Sequence, residues 1–379
     1  MPQQTPNIGL VTSEYGEDYI NQNFETIDAS LADIVTYNIK KFGAKGDGVT
    51  VNTTLIQNAI NACRDAGGGT VLIPLGTFLT DTLKIYSNVT IKGVNKWNSI
   101  LKLVDAPTGS LLDCSGVSNV TPNVNMVINN VYLTHKTGYS GTGQQGTLVN
   151  GKWTKYSELS DCVLSDFSVN ALYLEGLSGD EVSMPGKTWN VSRNLFRNSI
   201  AGNSKGVFMK DAAEYVDIIN NRMFVMQTGV YTENCANNKI IGNTMLYGNT
   251  GVHLQQYSDT INAGKNLVTG NTINHMGSYG IRIGAHGQND NPSNISDNNL
   301  FLNYTYGIYL KGMYGGVVTG NKIVVGAGGT LGIRIEDDTP YKGDYNLITG
   351  NSISAGTISN AGTGTNNVIT NNMENIPAR

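Results

Sequence analysis

Short segments in which apolar and polar residues alternate recur along the second half of the chain. Each begins with a small residue and continues as apolar, variable, apolar, and this period of two predicts a β-strand with one apolar face. The segments cover residues 171–174, 206–209, 229–232, 251–254, 280–283, 307–310 and 332–335. Because their apolar faces must be buried against one another, the pattern predicts an all-β chain.

A second repeated pattern is an apolar strand followed by a polar turn that ends in asparagine. It ends at Asn194, Asn221, Asn243, Asn271, Asn299, Asn321, Asn351 and Asn372. The intervals of 21 to 30 residues indicate coils of about 22 residues with insertions, which is typical of a solenoid. Asparagine tolerates the left-handed backbone of such turns, and its amides can hydrogen-bond between coils stacked ~4.8 Å apart. Leucine-rich repeats and propellers have other spacings, so we predict a parallel β-helix with at least two strands per coil.

The first 35 residues differ from this repeat. Apolar residues recur there at heptad spacing, which predicts a short helix. They are Ile20, Phe24, Ile27, Leu31 and Ile34. Two interpretations stay open: an amphipathic helix packed on the domain, or a helix that self-associates, most simply as a trimer. We therefore divide the chain into an attachment or oligomerisation segment, 1–35, and a β-helix domain, 36–379.

The sequence of residues 36–105 predicts a strand, a glycine-rich turn and then one helix. Asn52 or Thr53 can cap this helix, which is expected to span about 53–65 and to end at three consecutive glycines, 67–69. Strands are expected to follow at 70–74, 77–80 and 89–92, and further strands near 124–134. A helix laid across the first coil would protect the open end of the solenoid.

The same region resembles the N-terminal cap of the pectate-lyase-like β-helix superfamily. The resemblance lies in the phrases FGAKGDG (42–48), DAGGGTVLIPLGTF (65–78) and NVTIKG (88–93). It implies a right-handed, single-stranded parallel β-helix with a capping helix. Tailspikes, polygalacturonases, lyases and epimerases share this fold, so the resemblance implies a fold and not a reaction.

Strand alternation predicts which side chains point outward from the repeated strands. The first outward position, the aromatic column, comprises Tyr173, Phe208, Tyr231, His253, Arg282, Tyr309 and Arg334. The second, the charged column, comprises Glu175, Lys210, Glu233, Gln255, Gly284, Lys311 and Glu336. Charged residues are 14% and aromatic residues 8% of the chain, so both are concentrated here. An exposed stripe of rings beside charges suits a sugar chain, whereas the alternative is ordinary decoration of a sheet.

Three carboxylates could supply glycoside chemistry on this face. Carboxylates on adjacent coils would lie ~5 Å apart, and those two coils apart ~9–10 Å. These separations bracket the values of retaining and inverting glycosidases. We therefore name Glu175, Asp211 and Glu233 as candidate catalytic residues. The alternative is that Lys210 bridges Glu175 and Glu233 as an ion-pair ladder.

Two other functions remain open for the same face. His253, Arg282, Tyr309 and Lys311 could abstract a proton and neutralise a carboxylate in β-elimination or epimerisation of a uronic acid. A non-catalytic glycan-binding or structural spike is the third hypothesis. Further along, Arg334 and Glu336 with the acidic pair 337–338 could be catalytic, could bind Ca²⁺, or could form ion pairs.

Composition excludes several partners and predicts no cofactor or metal. The formal net charge of -4 argues against nucleic acid, and no apolar run approaches the ~18 residues of a membrane span. The start of the chain has no secretory signal pattern. The cysteines are widely spaced and form no CxxC, so we expect buried thiols. They are Cys63, Cys114, Cys162 and Cys235.

Two further resemblances concern context and catalysis. NIGL (7–10) and YINQNFETID (19–28) resemble virion-attachment segments of phage tail fibres and tailspikes. This resemblance implies a homotrimeric depolymerase of a phage tail that is made in the host cytoplasm. Otherwise it implies an extracellular protein. In some such families the active site lies between subunits. GIRIG (280–284) and GIRIE (332–336) resemble the catalytic-face strands of polygalacturonases. That family's Asn-Thr-Asp, Asp-Asp and Gly-His-Gly motifs, and the Tyr-Gly-Phe-Asp-Pro-His motif of mannuronan epimerases, are missing at the matching positions, so no catalytic residue is carried over.

Overall fold

The computed structural model describes residues 36–376 apart from 106, 119–120, 136–145, 177–188, 199–202, 212, 258–263, 285–292, 304, 327–328, 330 and 339–341. These residues form the predicted right-handed parallel β-helix, and the strands of successive coils pair in parallel along three sheets. The proposed attachment segment, 1–35, lies outside the described residues.

The three sheets are here called A, B and C in the order in which each coil visits them. Sheet A contains Thr36–Asn38, Gly69–Ile73, Val89–Gly93, Val127–Asn129, Ser157–Ser160, Trp189–Ser192, Asp217–Ile219, Lys239–Ile241, Leu267–Thr269, Asn294–Ser296, Val317–Thr319, Leu347–Thr349 and Val368–Thr370. Sheet B contains Asp47–Val51, Gly76–Thr80, Ser99–Leu103, Tyr132–Thr134, Val163–Ser165, Leu195–Arg197, Arg222–Phe224, Asn299–Asn303, Lys322–Val325, Ser352–Ser354 and Met373–Ile376. Sheet C contains Leu83–Lys84, Leu112–Asp113, Val149–Lys152, Asn170–Glu175, Lys205–Lys210, Thr228–Glu233, Tyr306–Lys311, Leu331–Glu336 and Thr357–Asn360.

Two long strands, Thr244–Gln255 and Thr272–Gly284, run through both sheet B and sheet C. A small separate pair is formed by Asn123–Val124 and Thr154–Lys155. The predicted strands at 70–74, 77–80 and 89–92 are confirmed to within one residue at each end. Sheet B provides the third strand per coil, which the repeat pattern in the second half of the chain does not reveal.

The asparagines form a buried ladder at the turn between sheets A and B, as predicted. The side-chain oxygen of each accepts a hydrogen bond from the backbone N–H of the preceding one, at 2.9 Å from Asn243 to Asn271 and 3.0 Å from Asn271 to Asn298. Two details of the prediction are wrong. The fifth member is Asn298 and not Asn299, and the left-handed residue is the one before each ladder asparagine, such as Gly270 at φ 65°. The ladder residue itself is thereby free to point its amide into the turn.

The interior is filled by inward residues of all three sheets. From Val191 to Ile348 the central inward position of sheet A is an isoleucine or valine in every coil and is fully buried, as at Ile218, Ile240 and Val268. The four cysteines are free thiols buried in this core, which confirms that expectation. Stacked identical positions thus produce one continuous apolar core.

The first coil is covered by helix α1, Thr53–Asp65, as predicted, after a short 3-10 helix, Ile39–Phe42. Helix α1 buries Ile56, Ala59, Ile60 and Cys63. Asn52 is the N-cap residue, but its amide bonds the backbone of Lys45 instead of capping the helix. In the described part of the chain, no helix has the length and apolar character needed to cross a membrane.

Candidate active site on sheet C

The two outward columns of sheet C lie in the predicted register. Tyr173 pairs with Phe208, and Glu175 pairs with Lys210, in the same two strands. The pairing continues through the later coils to Arg334 and Glu336. The sequence alternation therefore placed both columns on one face of the solenoid.

The rings of the aromatic column stack along the axis of the β-helix. Ring centroids are 5.3 Å apart from Tyr173 to Phe208, 5.2 Å from Phe208 to Tyr231 and 4.9 Å from Tyr231 to His253. These distances match the rise per coil, and the rings meet edge to face or tilted, at interplanar angles of 69°, 35° and 52°. The prediction of an exposed stripe is wrong at Tyr173 and Tyr309, each of which is only 8% exposed.

A third outward position, just before each small residue, completes this face. It places Lys205 over the rings of Phe208 and Tyr231, at 5.1 and 5.3 Å. It also places Tyr279 5.1 Å from the guanidinium of Arg282. Sequence analysis missed these residues because the alternation of inward and outward side chains is interrupted directly after them. The register passes from Lys205 to Val207 without the residue between them. A polar or aromatic residue precedes the glycine in the repeated strands except at Leu331, and this recurrence is the signal that could have identified them.

The three candidate carboxylates lie on neighbouring coils but have different partners. Glu175 is contacted by the ammonium of Lys152 at 2.7 Å and by the hydroxyl of Tyr173 at 2.6 Å. Lys210 lies 3.8 Å from Asp211. The ladder interpretation, with Lys210 bridging Glu175 and Glu233, is therefore not the arrangement observed.

Asp211 and Glu233 occupy the centre of this face. Asp211 lies at a left-handed turn after its strand, and its carboxylate accepts a hydrogen bond from the Asn234 amide at 3.1 Å. The backbone N–H of Asp211 donates to the Glu233 carbonyl at 3.0 Å, which fixes the two residues on adjacent coils. Beside Glu233, burial and hydrogen bonding to Tyr257 and Glu233 raise the pKa of Tyr231.

His253 is held in its neutral form. Burial, and next the charge of Arg282, lower the pKa of His253 to about 4, against a hydrogen bond with Gln255 that raises it. Its ring nitrogen Nε2 lies 3.1 Å from the Gln255 side-chain oxygen. At neutral pH the imidazole is thus an uncharged hydrogen-bonding group and a weak base.

Replacing His253 by glutamine is expected to flatten the dependence of stability on acid pH. In the unfolded chain this histidine takes up a proton below about pH 6.5, whereas in the fold it does so only near pH 4. Protonation therefore favours the unfolded chain as the pH falls through this window. The free energy of unfolding, measured at pH 7 and 4.5, should fall by about 2 kcal/mol more in the wild type than in His253→Gln. Equal slopes in the two proteins would contradict the assignment.

The C-terminal part of the face is an ion-pair network. Arg334 donates to Glu336 from Nε at 2.7 Å, and Lys311 lies 2.9 Å from Asp338. Asp337 accepts hydrogen bonds from the backbone of Gly343 and from Thr363, and the latter bonds lower its pKa. Within the described ranges, no group of three or more His, Cys, Asp or Glu residues is placed to hold a metal. The ion-pair interpretation of this cluster is the one the contacts support.

Comparison with known families gives two matches. Residues 36–262 match the rhamnogalacturonase A/epimerase, pectate-lyase-like family, which is more than half of the chain. Residues 196–377 match the periplasmic copper-binding protein (NosD) family. In the part of the chain that the structure describes, no group of three or more His, Cys, Asp or Glu side chains is placed to hold a copper ion.

Curated relatives match only a short segment. Alginate lyase 7 of Azotobacter vinelandii is 47% identical over 77 residues, which is 18% of this chain and 9% of the lyase. Mannuronan C5-epimerase AlgE1 of the same bacterium is 44% identical over 80 residues, which is 19% of this chain and 6% of the epimerase. The chain thus spans less than a tenth of the length of either relative.

Solved structures share the architecture at low sequence identity. The pre-mature gene product 12 of bacteriophage phi29 superposes with a TM-score of 0.65 at 16% identity, over 94% of this chain and 54% of that one. A GH87 alpha-1,3-glucanase from Streptomyces thermodiastaticus gives 0.63 at 16%, over 90% and 69%. The Dettilon tailspike protein gives 0.60 at 17%, over 86% and 62%. At these identities the similarity is one of fold.

Proposed function

The chain belongs to the rhamnogalacturonase A/epimerase, pectate-lyase-like family. We propose that it binds a bacterial surface polysaccharide along sheet C and hydrolyses it as an endo-glycosidase. The observation that carries the proposal is the register that sets Glu175, Asp211 and Glu233 on neighbouring coils beside the aromatic column. Rings stack on the apolar faces of sugars, and paired carboxylates are the catalytic groups of most glycosidases.

Asp211 and Glu233 are the proposed reacting pair. Asn234 and Lys210 orient the Asp211 carboxylate, which suits the role of nucleophile or base. Glu233, beside the Tyr231 phenol, would protonate the leaving glycosidic oxygen. Glu175 already has Lys152 and Tyr173 as partners, so we assign it to sugar hydroxyls at the end of the cleft.

The substrate would extend along the axis of the solenoid. Phe208 and Tyr231 offer ring surface next to the carboxylates, while Lys210, Lys311 and Arg334 offer donors to hydroxyl or carboxylate groups. The half-buried rings are already fixed by stacking, so little side-chain entropy is lost when a sugar binds. His253, Arg282, Tyr309 and Glu336 would form the far end of the same cleft.

Replacing Glu233 by glutamine, or Asp211 by asparagine, is expected to lower kcat for polysaccharide cleavage by at least about 100-fold while binding is retained. The amides keep the size of the carboxylates and remove the proton transfer. New reducing ends, released from a panel of capsular, teichoic-acid and uronate polysaccharides, measure the rate. Asp65→Asn on helix α1 is the matched control and should cleave at the wild-type rate.

The anomeric configuration of the fresh product identifies the pair. Adjacent coils separate two carboxylates by ~5 Å, the distance of retaining enzymes, whereas two coils give ~9–10 Å, that of inverting enzymes. Retention by nuclear magnetic resonance supports Asp211 with Glu233. Inversion would transfer the role of Asp211 to Glu175. Unchanged cleavage in both amide variants would refute the assignment.

A lyase or epimerase is the second candidate, favoured by the 47% identity of one segment to alginate lyase 7. His253, Arg282, Tyr309 and Lys311 lie on consecutive coils and would act on a uronic acid. The pKa values of two of these residues argue against this candidate. Burial lowers the pKa of His253 to about 4. Burial raises the pKa of Tyr309, whose hydroxyl donates a hydrogen bond to Glu336. Unsaturated products absorbing in the ultraviolet would establish elimination. Saturable binding without any cleavage would leave a glycan-binding spike.

We place this activity on a phage tail, with the polysaccharide of the host surface as substrate. The support is the fold shared with the Dettilon tailspike protein and with a phi29 gene product, together with the attachment-like sequence of residues 1–35. A homotrimer joined through that segment is the proposed assembly. The mass of the assembly in solution, compared with a chain lacking residues 1–35, tests it.

A further inference from the structure

The first coils of the β-helix carry a charge opposite to that of the chain as a whole. Residues 36–105 contain eight basic and four acidic residues, whereas the formal net charge of the whole chain is -4. Two of the eight basic residues form ion pairs, Arg64 with Asp65 and Lys84 with Asp113. The remaining lysines leave this end of the solenoid cationic.

Three of these lysines lie at one corner, where sheet A turns into sheet B on the first three coils. Lys40 and Lys41 belong to the 3-10 helix of the first coil. The ammonium of Lys40 lies 3.3 Å from the carbonyl oxygen of Leu75, in the turn of the second coil. Lys96 lies in the turn of the third coil, which packs directly on the second. We call Lys40, Lys41 and Lys96 the cationic corner.

The cationic corner has no ion-pair partner among the described residues. The nearby Asp161 is already paired with Arg193 at 2.7 Å. Half-exposed apolar side chains surround the lysines, since Leu75, Val94 and Trp97 are 51%, 53% and 52% exposed. Apolar neighbours lower the local dielectric constant, so a carboxylate placed here is attracted more strongly than at an open surface.

The segment that precedes this corner in the chain has the complementary charge. Residues 1–35 contain six acidic residues and no lysine or arginine. Asp18, Glu25 and Asp28 are spaced by seven and three residues, so they share one side of the helix that the heptad pattern predicts. That side is distinct from the side of the heptad residues. The sequence thus supplies an acidic stripe beside an apolar one.

The dimensions of the segment and of the corner agree. On a helix, Asp18 and Asp28 are ~15 Å apart, at 1.5 Å per residue. The first and third coils are ~10 Å apart along the axis, and the long lysine side chains extend the reach of the corner. Residues 29–35 join Asp28 to Thr36, the first residue of sheet A, and can span up to ~25 Å. The acidic stripe can therefore reach the corner of its own chain.

We propose that residues 18–28 dock on the cationic corner of their own chain through their acidic side. The ion pairs fix the direction in which the segment leaves the β-helix. The heptad residues stay available for the self-association proposed above. This docking concerns the end of the molecule opposite to the last coil and does not depend on the cleavage proposed for sheet C.

Zero-length carbodiimide cross-linking of the full chain tests the contact. The reagent joins a carboxylate to an amine where the two touch, and peptide mapping identifies the pair. We expect amide bonds from Asp18, Glu25 or Asp28 to the lysines of the cationic corner. Raising the NaCl concentration from ~50 mM to ~1 M should lower the yield of these bonds at least fivefold, because salt screens ion pairs.

Charge reversal in the full chain gives the matched variants, with amide hydrogen exchange of residues 18–28 as the measurement. The first variant reverses the cationic corner, with Lys40→Glu, Lys41→Glu and Lys96→Glu, and should exchange at least tenfold faster. The second adds Asp18→Lys, Glu25→Lys and Asp28→Lys and should restore the slow exchange. The control reverses three exposed lysines of distant coils and should exchange as the wild type does; its changes are Lys265→Glu, Lys322→Glu and Lys342→Glu.

The outcomes separate docking from the alternatives. Faster exchange in the first variant, restored in the second, supports the proposal. Equal exchange in the first variant and the wild type, or an absence of bonds to the cationic corner, would overturn it. Cross-linking a mixture of ¹⁵N-labelled and unlabelled chains identifies the occupant, because bonds that join a labelled to an unlabelled peptide would place the segment on a neighbouring chain and refute docking on its own. None of these measurements depends on whether the protein cleaves a polysaccharide.

Discussion

Replacing Asn271 by alanine is expected to lower the free energy of unfolding by about 4 kcal/mol. Asn271 is fully buried in the asparagine ladder. Its oxygen accepts the backbone N–H and the amide of Asn243, at 2.9 and 3.0 Å. Its amide donates to the carbonyl of Ile240 at 2.8 Å and to the Asn298 oxygen at 2.9 Å. Alanine leaves several buried groups on two neighbouring coils without partners, and each costs ~1–3 kcal/mol.

Chemical denaturation of Asn271→Ala beside Asn294→Ala measures this effect. Asn294 is an exposed residue of sheet A, so its loss should change stability by no more than ~0.5 kcal/mol. Asn271→Asp keeps the accepting oxygen but sets a carboxylate against the oxygens of Ile240, Thr269 and Asn298, which accept from the Asn271 amide, and it should be at least as damaging as alanine. A loss below ~1 kcal/mol for Asn271→Ala would show that the ladder is not a main source of stability.

The second large effect is expected at the glycine that opens a strand of sheet C. A Cβ on Gly251 would lie 2.6 Å from the carbonyl oxygen of Gly280 and 2.6 Å from the Cγ2 atom of Ile273. The oxygen is backbone of the next coil and cannot rotate away. Gly251→Ala should therefore destabilise the fold by about 3 kcal/mol, the upper end of the usual cost of overpacking.

Gly270→Asn is the matched control for this prediction. Gly270 is left-handed at φ 65°, and its nearest contact for a Cβ is 3.9 Å away. Asn220 and Asn371 occupy the same turn position of other coils in the same conformation. The substitution should thus be neutral or slightly stabilising by denaturation. If Gly251→Ala were equally harmless, close packing of coils would not explain the recurring glycine.

The sequence predicted the features that repeat in register with the coil. Strand alternation set Tyr231 and Glu233 in their correct columns, and the asparagine period gave the ladder. In the repeated part of the chain the strands of sheet B were missed because some have only three residues with one buried centre, such as Met223 or Phe196, and three residues show no alternation. The fifth member of the ladder was misassigned, because Asn298 and Asn299 are consecutive. Only the geometry of the turn shows that Asn298 is the ladder residue.

The candidate site was predicted less completely than the fold. The ion-pair and hydrogen-bond partners of its side chains lie on other coils, and they depend on side-chain conformation. The position of Lys152 beside Glu175 depends on a strand that has no recognisable repeat. Such proximity is a property of the stacked solenoid and leaves no local motif in the chain.

The four buried thiols can serve as built-in reporters of local unfolding. Burial raises the pKa of each, so neither the water nor the thiolate that alkylation requires is present in the closed fold. They sit at successive heights along the axis, from Cys63 in helix α1 through Cys114 and Cys162 to Cys235. The order in which a small reagent labels them therefore records how local openings are distributed along the coils, with no foreign probe attached.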